Sequence, residues 1–279
     1  MSNSEYVYTA PAKLNLFLHV VGRRPDGYHL LQTLFRFLDY GDEVRLRVRE
    51  DGVIHLLNPL PDVPVERDLC FRAARLLQEH TGCRLGVDVG LVKRLPMGGG
   101  LGGGSSDAAT VLMALNRLWR LDMPRATLEA LGLRLGADVP VFIFGRAAFA
   151  EGVGEKLQAV TLPPASYVVL IPPIQVATAE IFASPGLTRD TPEMKIPPLP
   201  EGCGRNDLEP VAIAAYPVVG EYLEWLRQYG DARMTGSGAC VFAAFPDRAE
   251  AERVFAARPE GMQGFVADGL DEHPMFIEG

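Results

Sequence analysis

Apolar positions alternate through Leu14, Leu16, Leu18 and Val20, the two-residue period of a strand, and Pro25-Asp26-Gly27 supplies the turn that follows. Lys13 and Asn15 are therefore predicted on an early strand. Val44, Leu46 and Val48 alternate with Arg45, Arg47 and Arg49, the signature of an antiparallel strand with one wet face. Leu69, Ala73, Leu76 and Leu77 recur at helical spacing, and residues 85–92 read as a further strand before Pro96 interrupts it. Ala108, Val111, Leu112, Leu115 and Trp119 then mark one helix face, with Ser105 or Ser106 as its predicted cap. The strongly apolar residues after Asp138, from Val139 through Phe142, read as a strand following a helix. Beyond about residue 160 the pattern predicts a small α+β layer, interrupted by a proline-rich stretch at 188–200. It comprises strands at 167–171, 240–245 and 264–267 and helices near 207–215, 218–228 and 248–257. The shift in composition at Pro163-Pro164 suggests two units, 1–160 and 161–279.

Length and composition narrow the class. With 279 residues, 48% hydrophobic and 22% charged, the chain has the balance of a globular protein with a sizeable core, which excludes wholesale disorder. A net charge of -8 provides no general attraction to phosphate backbones, so nucleic-acid binding is not expected and any anion must meet a local site. Cys70, Cys83, Cys203 and Cys240 stand far apart, without zinc-finger spacing, and read as buried thiols in a reducing compartment. No apolar run approaches the roughly 20 residues that span a bilayer. The start, Met-Ser-Asn-Ser-Glu-Tyr, has no signal-peptide character. A cytoplasmic protein without membrane association is expected.

Candidate chemistry concentrates in Pro96-Met97-Gly98-Gly99-Gly100-Leu101-Gly102-Gly103-Gly104-Ser105-Ser106, between a strand and a helix. Glycines let the backbone turn its N–H groups onto an anion, and the helix directs its positive end to the same place. The composition alone also suits a flexible linker, but a linker does not open a helix. A P-loop is rejected because Gly104 stands where its lysine belongs. Gly98, Gly100 and Gly103 with Asp122 satisfy the dinucleotide fingerprint formally, although Asp122 follows a helix rather than a second parallel strand.

Lys13 is one of four lysines beside 23 arginines. A compact ammonium suits a hydroxyl or phosphoryl oxygen, and a snorkelling lysine at a strand end is the plainer alternative. Asp138, next to apolar residues, needs a cation if ionised and buried, and Lys13 would supply one; a capping aspartate is the alternative. Tyr28 and His29 follow a turn and offer a ring and an imidazole to a base. The turn Thr235-Gly236-Ser237-Gly238 reads equally as structural or as a phosphate contact. His19, His55, His80 and His273 show no metal grouping.

Taken together, P-A-K-L-N at 11–15, D-G-Y-H at 26–29, the glycine run at 95–109, L-G-A-D-V-P at 135–140 and T-G-S-G-A-C at 235–240 resemble the GHMP small-molecule kinases. Within them the set is similar to the bacterial branch acting on 4-diphosphocytidyl-2-C-methyl-D-erythritol. The resemblance implies a two-lobed α+β fold, with an N-terminal α/β lobe bearing the phosphate loop and a ferredoxin-like C-terminal lobe. It implies ATP as co-substrate, Mg²⁺ with it through ligands not evident in the sequence, Asp138 as base and Lys13 as its partner. It places Asn15, Tyr28, His29, Thr178 and Phe182 on the substrate and cytidine side. Lys93 and the region of Asp68-Leu69 fall on the adenosine side, where Asp68 stands in place of an expected asparagine. Other GHMP kinases using homoserine, mevalonate or a sugar, a non-catalytic nucleotide-binding protein and, more distantly, a dinucleotide-dependent oxidoreductase are the alternatives.

Overall fold

The computed structural model describes residues 4–61, 63–194 and 204–277. In chain order these form β1 (Tyr6–Arg23), β2 (His29–Arg49), β3 (Ile54–Leu56), α1 (Leu69–Thr81), β4 (Gly86–Val92), α2 (Gly103–Leu118), α3 (Arg125–Leu133), α4 (Val139–Phe144), β5 (Ala148–Glu151) and β6 (Lys156–Ala159). The second half adds β7 (Ser166–Ile171), α5 (Thr178–Ala183), α6 (Glu209–Ala215), α7 (Pro217–Arg227), β8 (Arg233–Met234), β9 (Val241–Phe245), α8 (Arg248–Ala256), β10 (Gln263–Leu270) and α9 (Pro274–Ile277).

β1 and β2 form a long antiparallel hairpin whose register shifts at Pro11/Lys13, Asn15/Leu18 and Val20/Gly22. Proline donates no ladder hydrogen bond, so an irregularity beside Pro11 is where a strand tolerates it. The break has a local use: the Lys13 backbone N–H donates to Leu101 O at 3.0 Å, tying the glycine loop to the hairpin. Helices α1 to α4 pack on this sheet around Phe37, Leu46, Leu77, Leu112, Leu115 and Phe142.

In the second half, β7, helices, β8, β9, α8 and β10 follow the β-α-β-β-α-β order, all neighbouring strands antiparallel and laid out as β10-β7-β9-β8. This is the ferredoxin-like lobe, with its own core around Leu170, Leu223, Leu226 and Val241. A third cluster, including Leu14, Leu38, Leu101, Val169 and Phe242, lies between the two layers.

The chain then returns to its first half. β10 pairs with β2 through Gly269↔Leu38 and Leu270↔Phe37. Ala147 N donates to Asp271 O at 2.8 Å, and Arg117 Nη2 to Met275 O at 3.1 Å. The Arg125 guanidinium lies 4.3 Å from the centre of the Phe276 ring.

Three expectations need correction. Val139–Phe144 is a helix, not a strand: it is buried almost throughout, so its side chains carry no periodicity, and Pro140 sits in the first turn where a helix accepts it. The cap of α2 is Gly102, left-handed at φ 72°, and neither Ser105 nor Ser106. Among the cysteines, Cys70 and Cys240 are buried, Cys83 is half-buried, and Cys203 lies outside the described residues. Burial pushes the Cys240 thiol up to about 12.

Candidate active site

Two recesses meet at the glycine loop. The smaller, about 380 Å³, is lined by Asp68, Leu69, Lys93, Pro96, Met97 and Gly98 through Ser105. The larger, about 740 Å³, is lined by Lys13, Asn15, Tyr28, His29, Asp138, Thr178 and Phe182. Gly98, Gly100 and Ser105 border both, so the loop is their common wall. Ser106 lines neither; it is fully buried, and its Oγ has no hydrogen-bond partner among the described residues. With Gly102 as cap, no side chain takes up the N–H groups of the first turn of α2, which remain directed at the loop.

Lys13 is 2% exposed, and each ammonium proton has a destination. One goes to Asn15 Oδ1, one to Gly100 O at 3.0 Å, and the third faces Asp138 Oδ2 at 3.3 Å. Asn15 is itself fixed, donating from Nδ2 to Thr33 Oγ1 at 2.9 Å and from its backbone to Thr235 Oγ1 at 3.0 Å. Thr235 Oγ1 also donates to Gly100 O at 3.2 Å, so the second-lobe turn braces both lysine and loop. Asp138 precedes α4, and its side chain is 38% exposed on the recess, so the cation is buried while its carboxylate is open. A Cβ at residue 102 would meet Lys13 Cε at 3.1 Å and Phe142 Cζ at 3.0 Å, and the φ of 72° independently requires glycine there.

The other side of the loop carries a group the sequence reading missed. Lys93 Nζ lies between Asp42 Oδ2 and Asp107 Oδ2, the latter at 2.9 Å, and both carboxylates are buried. Asp42 Oδ1 also accepts from Arg94 N at 2.6 Å and Leu95 N at 2.8 Å. The entry of the loop (93–95) and its exit (Asp107 in α2) are thus stapled through one ammonium. Burial pushes Asp107 up to about 7 despite the adjacent cation. Burial works against the charge on Lys93, but Asp107 and Asp42 outweigh it and hold the amine above its ordinary value. The signal available in sequence was Asp107 itself, a carboxylate followed by Ala108, Ala109, Thr110 and Val111 in a buried helix.

Asp68 caps α1, accepting from Cys70 N at 2.8 Å and Phe71 N at 3.1 Å. This accounts for an aspartate at the edge of the smaller recess in physical terms, since Asp and Asn cap equally well. At the far end of the larger recess, His29 stacks on Phe182 with centroids 5.0 Å apart and planes 30° apart, and Thr178 Oγ1 shares a 2.7 Å hydrogen bond with Ser237 Oγ. Tyr28 is largely exposed.

The chain matches the family models for the GHMP kinases N terminal domain over residues 68–146 and the GHMP kinases C terminal over residues 198–263. A 4-diphosphocytidyl-2-C-methyl-D-erythritol kinase from Thiobacillus denitrificans is 63% identical over 269 residues, covering 96% of this chain and 97% of that protein. One of the same name from Nitrosospira multiformis is 58% identical, covering 98% of this chain and 94% of that protein. A crystal structure of 4-(cytidine 5'-diphospho)-2C-methyl-D-erythritol kinase superposes with a TM-score of 0.78 at 36% identity, covering 95% of this chain and 99% of that one. A homoserine kinase structure from Cytophaga hutchinsonii, at 17% identity and a TM-score of 0.69 over 98% of this chain and 96% of that one, shares the fold.

Proposed function

The chain belongs to the 4-diphosphocytidyl-2-C-methyl-D-erythritol kinase family of the GHMP kinases, and on that premise we propose how its residues divide the reaction. The reaction is ATP-dependent phosphorylation of the 2-hydroxyl of the methylerythritol moiety, a step toward isoprenoid precursors. The observation that carries the assignment of sides is the shared wall: two recesses border one glycine loop, which suits a phosphoryl donor on one side and an acceptor on the other.

ATP occupies the smaller recess, with its adenosine toward Lys93 and Asp68-Leu69 and its phosphates on the loop from Gly98 to Ser105. Phosphoryl transfer asks the protein mainly for in-line placement and charge stabilisation, which converging backbone N–H groups and a helix N-terminus supply. The acceptor alcohol lies in the larger recess beside Asp138, which takes the hydroxyl proton. Lys13 holds that carboxylate in place, and its other two hydrogen bonds prevent it from following the substrate. Asn15 positions Lys13, and Tyr28, His29, Thr178 and Phe182 hold the cytidine end. Among the described residues no three His, Cys, Asp or Glu side chains gather as a metal site. Mg²⁺ is expected with the triphosphate, and no step is assigned to it.

Among the described residues no helix is long and apolar enough to cross a membrane. A cytoplasmic setting, and a division of the chain near residue 160, belong to the same reading. The test is ADP release from Mg-ATP with and without 4-diphosphocytidyl-2-C-methyl-D-erythritol. Substrate-dependent release is expected, with kcat falling about a thousandfold in Asp138→Asn while KM for ATP is retained. Full turnover by Asp138→Asn would remove the base assignment.

A further inference from the structure

Arg189 stands in a loop of the second lobe, outside the lining of the larger recess, yet its guanidinium joins two residues of that lining, His29 and Phe182. Nε donates to His29 Nε2 at 3.1 Å, Nη1 to Leu187 O at 3.0 Å, and Nη2 to Phe182 O at 3.0 Å and Ser184 O at 2.7 Å. Both members of the His29–Phe182 stack are therefore tied to one cation, one through its ring and the other through its backbone.

A guanidinium has donors only and stays charged. The nitrogen it meets on His29 must then present a lone pair, which leaves the ring proton on Nδ1. Protonating the ring would set N–H against N–H. Burial, Arg189 and Arg23 all act in the same direction and hold His29 below the ordinary histidine value. The ring thus offers a ligand one polar function, a donor. That suits the acceptor edge of cytosine, its N3 and O2, and mismatches an exocyclic amine.

We propose that Arg189 is a positioning residue for the nucleobase: it fixes His29 as the Nδ1–H tautomer and pins it against Phe182, so that donor and aromatic surface are set before the ligand binds. This rests on the reading that the larger recess takes the cytidine end. Preorganisation of this kind lowers the cost of binding without touching the reacting atoms.

The test has two arms. In the first, ¹⁵N-histidine NMR of the full-length protein, with His29 assigned by difference against His29→Gln, is expected to show Nδ1 protonated and Nε2 bare. Arg189→Gln is expected to shift the ring toward the Nε2–H form. A wild-type Nε2–H ring overturns the proposal, and this arm needs no known substrate. In the second arm, KM for the cytidine-diphosphate-linked alcohol is expected to rise about tenfold or more in Arg189→Gln, with kcat and KM for ATP held within about twofold. Arg189→Lys, with one centre of charge for four acceptors, is expected to fall between. An unchanged KM for the alcohol, or equal rises in both KM values, overturns the assignment. Absence of wild-type turnover with this alcohol sinks the substrate reading instead, and the tautomer measurement still decides Arg189.

Discussion

Lys13 and Lys93 press on neighbouring glycines from opposite sides of one loop. A Cβ on Gly102 would meet Lys13 Cγ and Cε at 3.1 Å, and one on Gly103 would meet Lys93 Nζ at 3.2 Å. Each ammonium is paired with carboxylate, but the partners differ in access. Asp138 is 38% exposed, whereas Asp42 is 0% and Asp107 3%. A buried cation beside an open carboxylate leaves that carboxylate free for an incoming alcohol. A cation between two closed carboxylates has no such freedom and works on the backbone that holds the loop. Lys13 is 2% exposed and Lys93 19%, a smaller difference than that between their anions, so access of the anion decides whether a lysine serves chemistry or shape.

Exchanging each lysine for methionine gives the largest contrast. Lys93→Met leaves two buried carboxylates without their cation and is expected to cost about 3–5 kcal/mol in denaturant unfolding. Below its melting range it should retain most of its kcat. Lys13→Met is expected to lower kcat about a hundredfold, some 2.7 kcal/mol of barrier, with little loss of stability because Asp138 can turn to water. Lost turnover in Lys93→Met at unchanged stability would erase the contrast.

A smaller effect tests how closed the Asp107 site is. With a folded value of about 7 against 3.8 for the free carboxyl, the folded protein binds this proton more tightly than the unfolded chain. Its contribution to stability therefore falls as pH rises from about 4 to 7. His273, held down to about 3 by burial and by Arg117, contributes the opposite slope, stability rising with pH between 3 and 6.5. The informative quantity is the difference between wild type and Asp107→Asn. Unfolding free energies measured across this range should diverge in favour of Asn by on the order of 2 kcal/mol at the high end. A pH-independent difference would mean that Asp107 is ionised throughout.

The smallest effect is expected at the edge of the smaller recess. Asp68→Asn keeps an N-cap of equal quality, so stability should change by less than about 0.5 kcal/mol. Asn adds a donor, and KM for ATP should fall by a factor of about two to three if adenine uses it. An unchanged KM would show that the cap is the whole role of this residue.

The sequence disclosed the elements whose burial is one-sided. The strand bearing Lys13, the helix of Leu69 and Leu77, and the strands and helices of the second lobe follow from periodicity, because each has a wet face to contrast with a dry one. Val139–Phe144 has no wet face, and its helix was invisible for that reason. The glycine run read as a phosphate cradle, and Lys13 with Asp138 read as a pair, which the structure brings to 3.3 Å. Asp42 was silent, since an aspartate after Tyr40-Gly41 reads as a turn until Lys93 and the N–H groups of Arg94 and Leu95 are seen to converge on it. Arg189 was equally silent, because its meaning lies in a histidine 160 positions away.

The return of the chain onto its first half bears on how this molecule comes to exist at all. Leu38 and Phe37 find their β10 partners more than two hundred residues later, and Met275 and Phe276 complete contacts with Arg117 and Arg125. During synthesis the surface of the first lobe that meets β10 and α9 therefore stays uncovered until residues 269–276 have emerged. A split near residue 160 would yield two fragments that each lack a piece of the other, and neither would be a free-standing module.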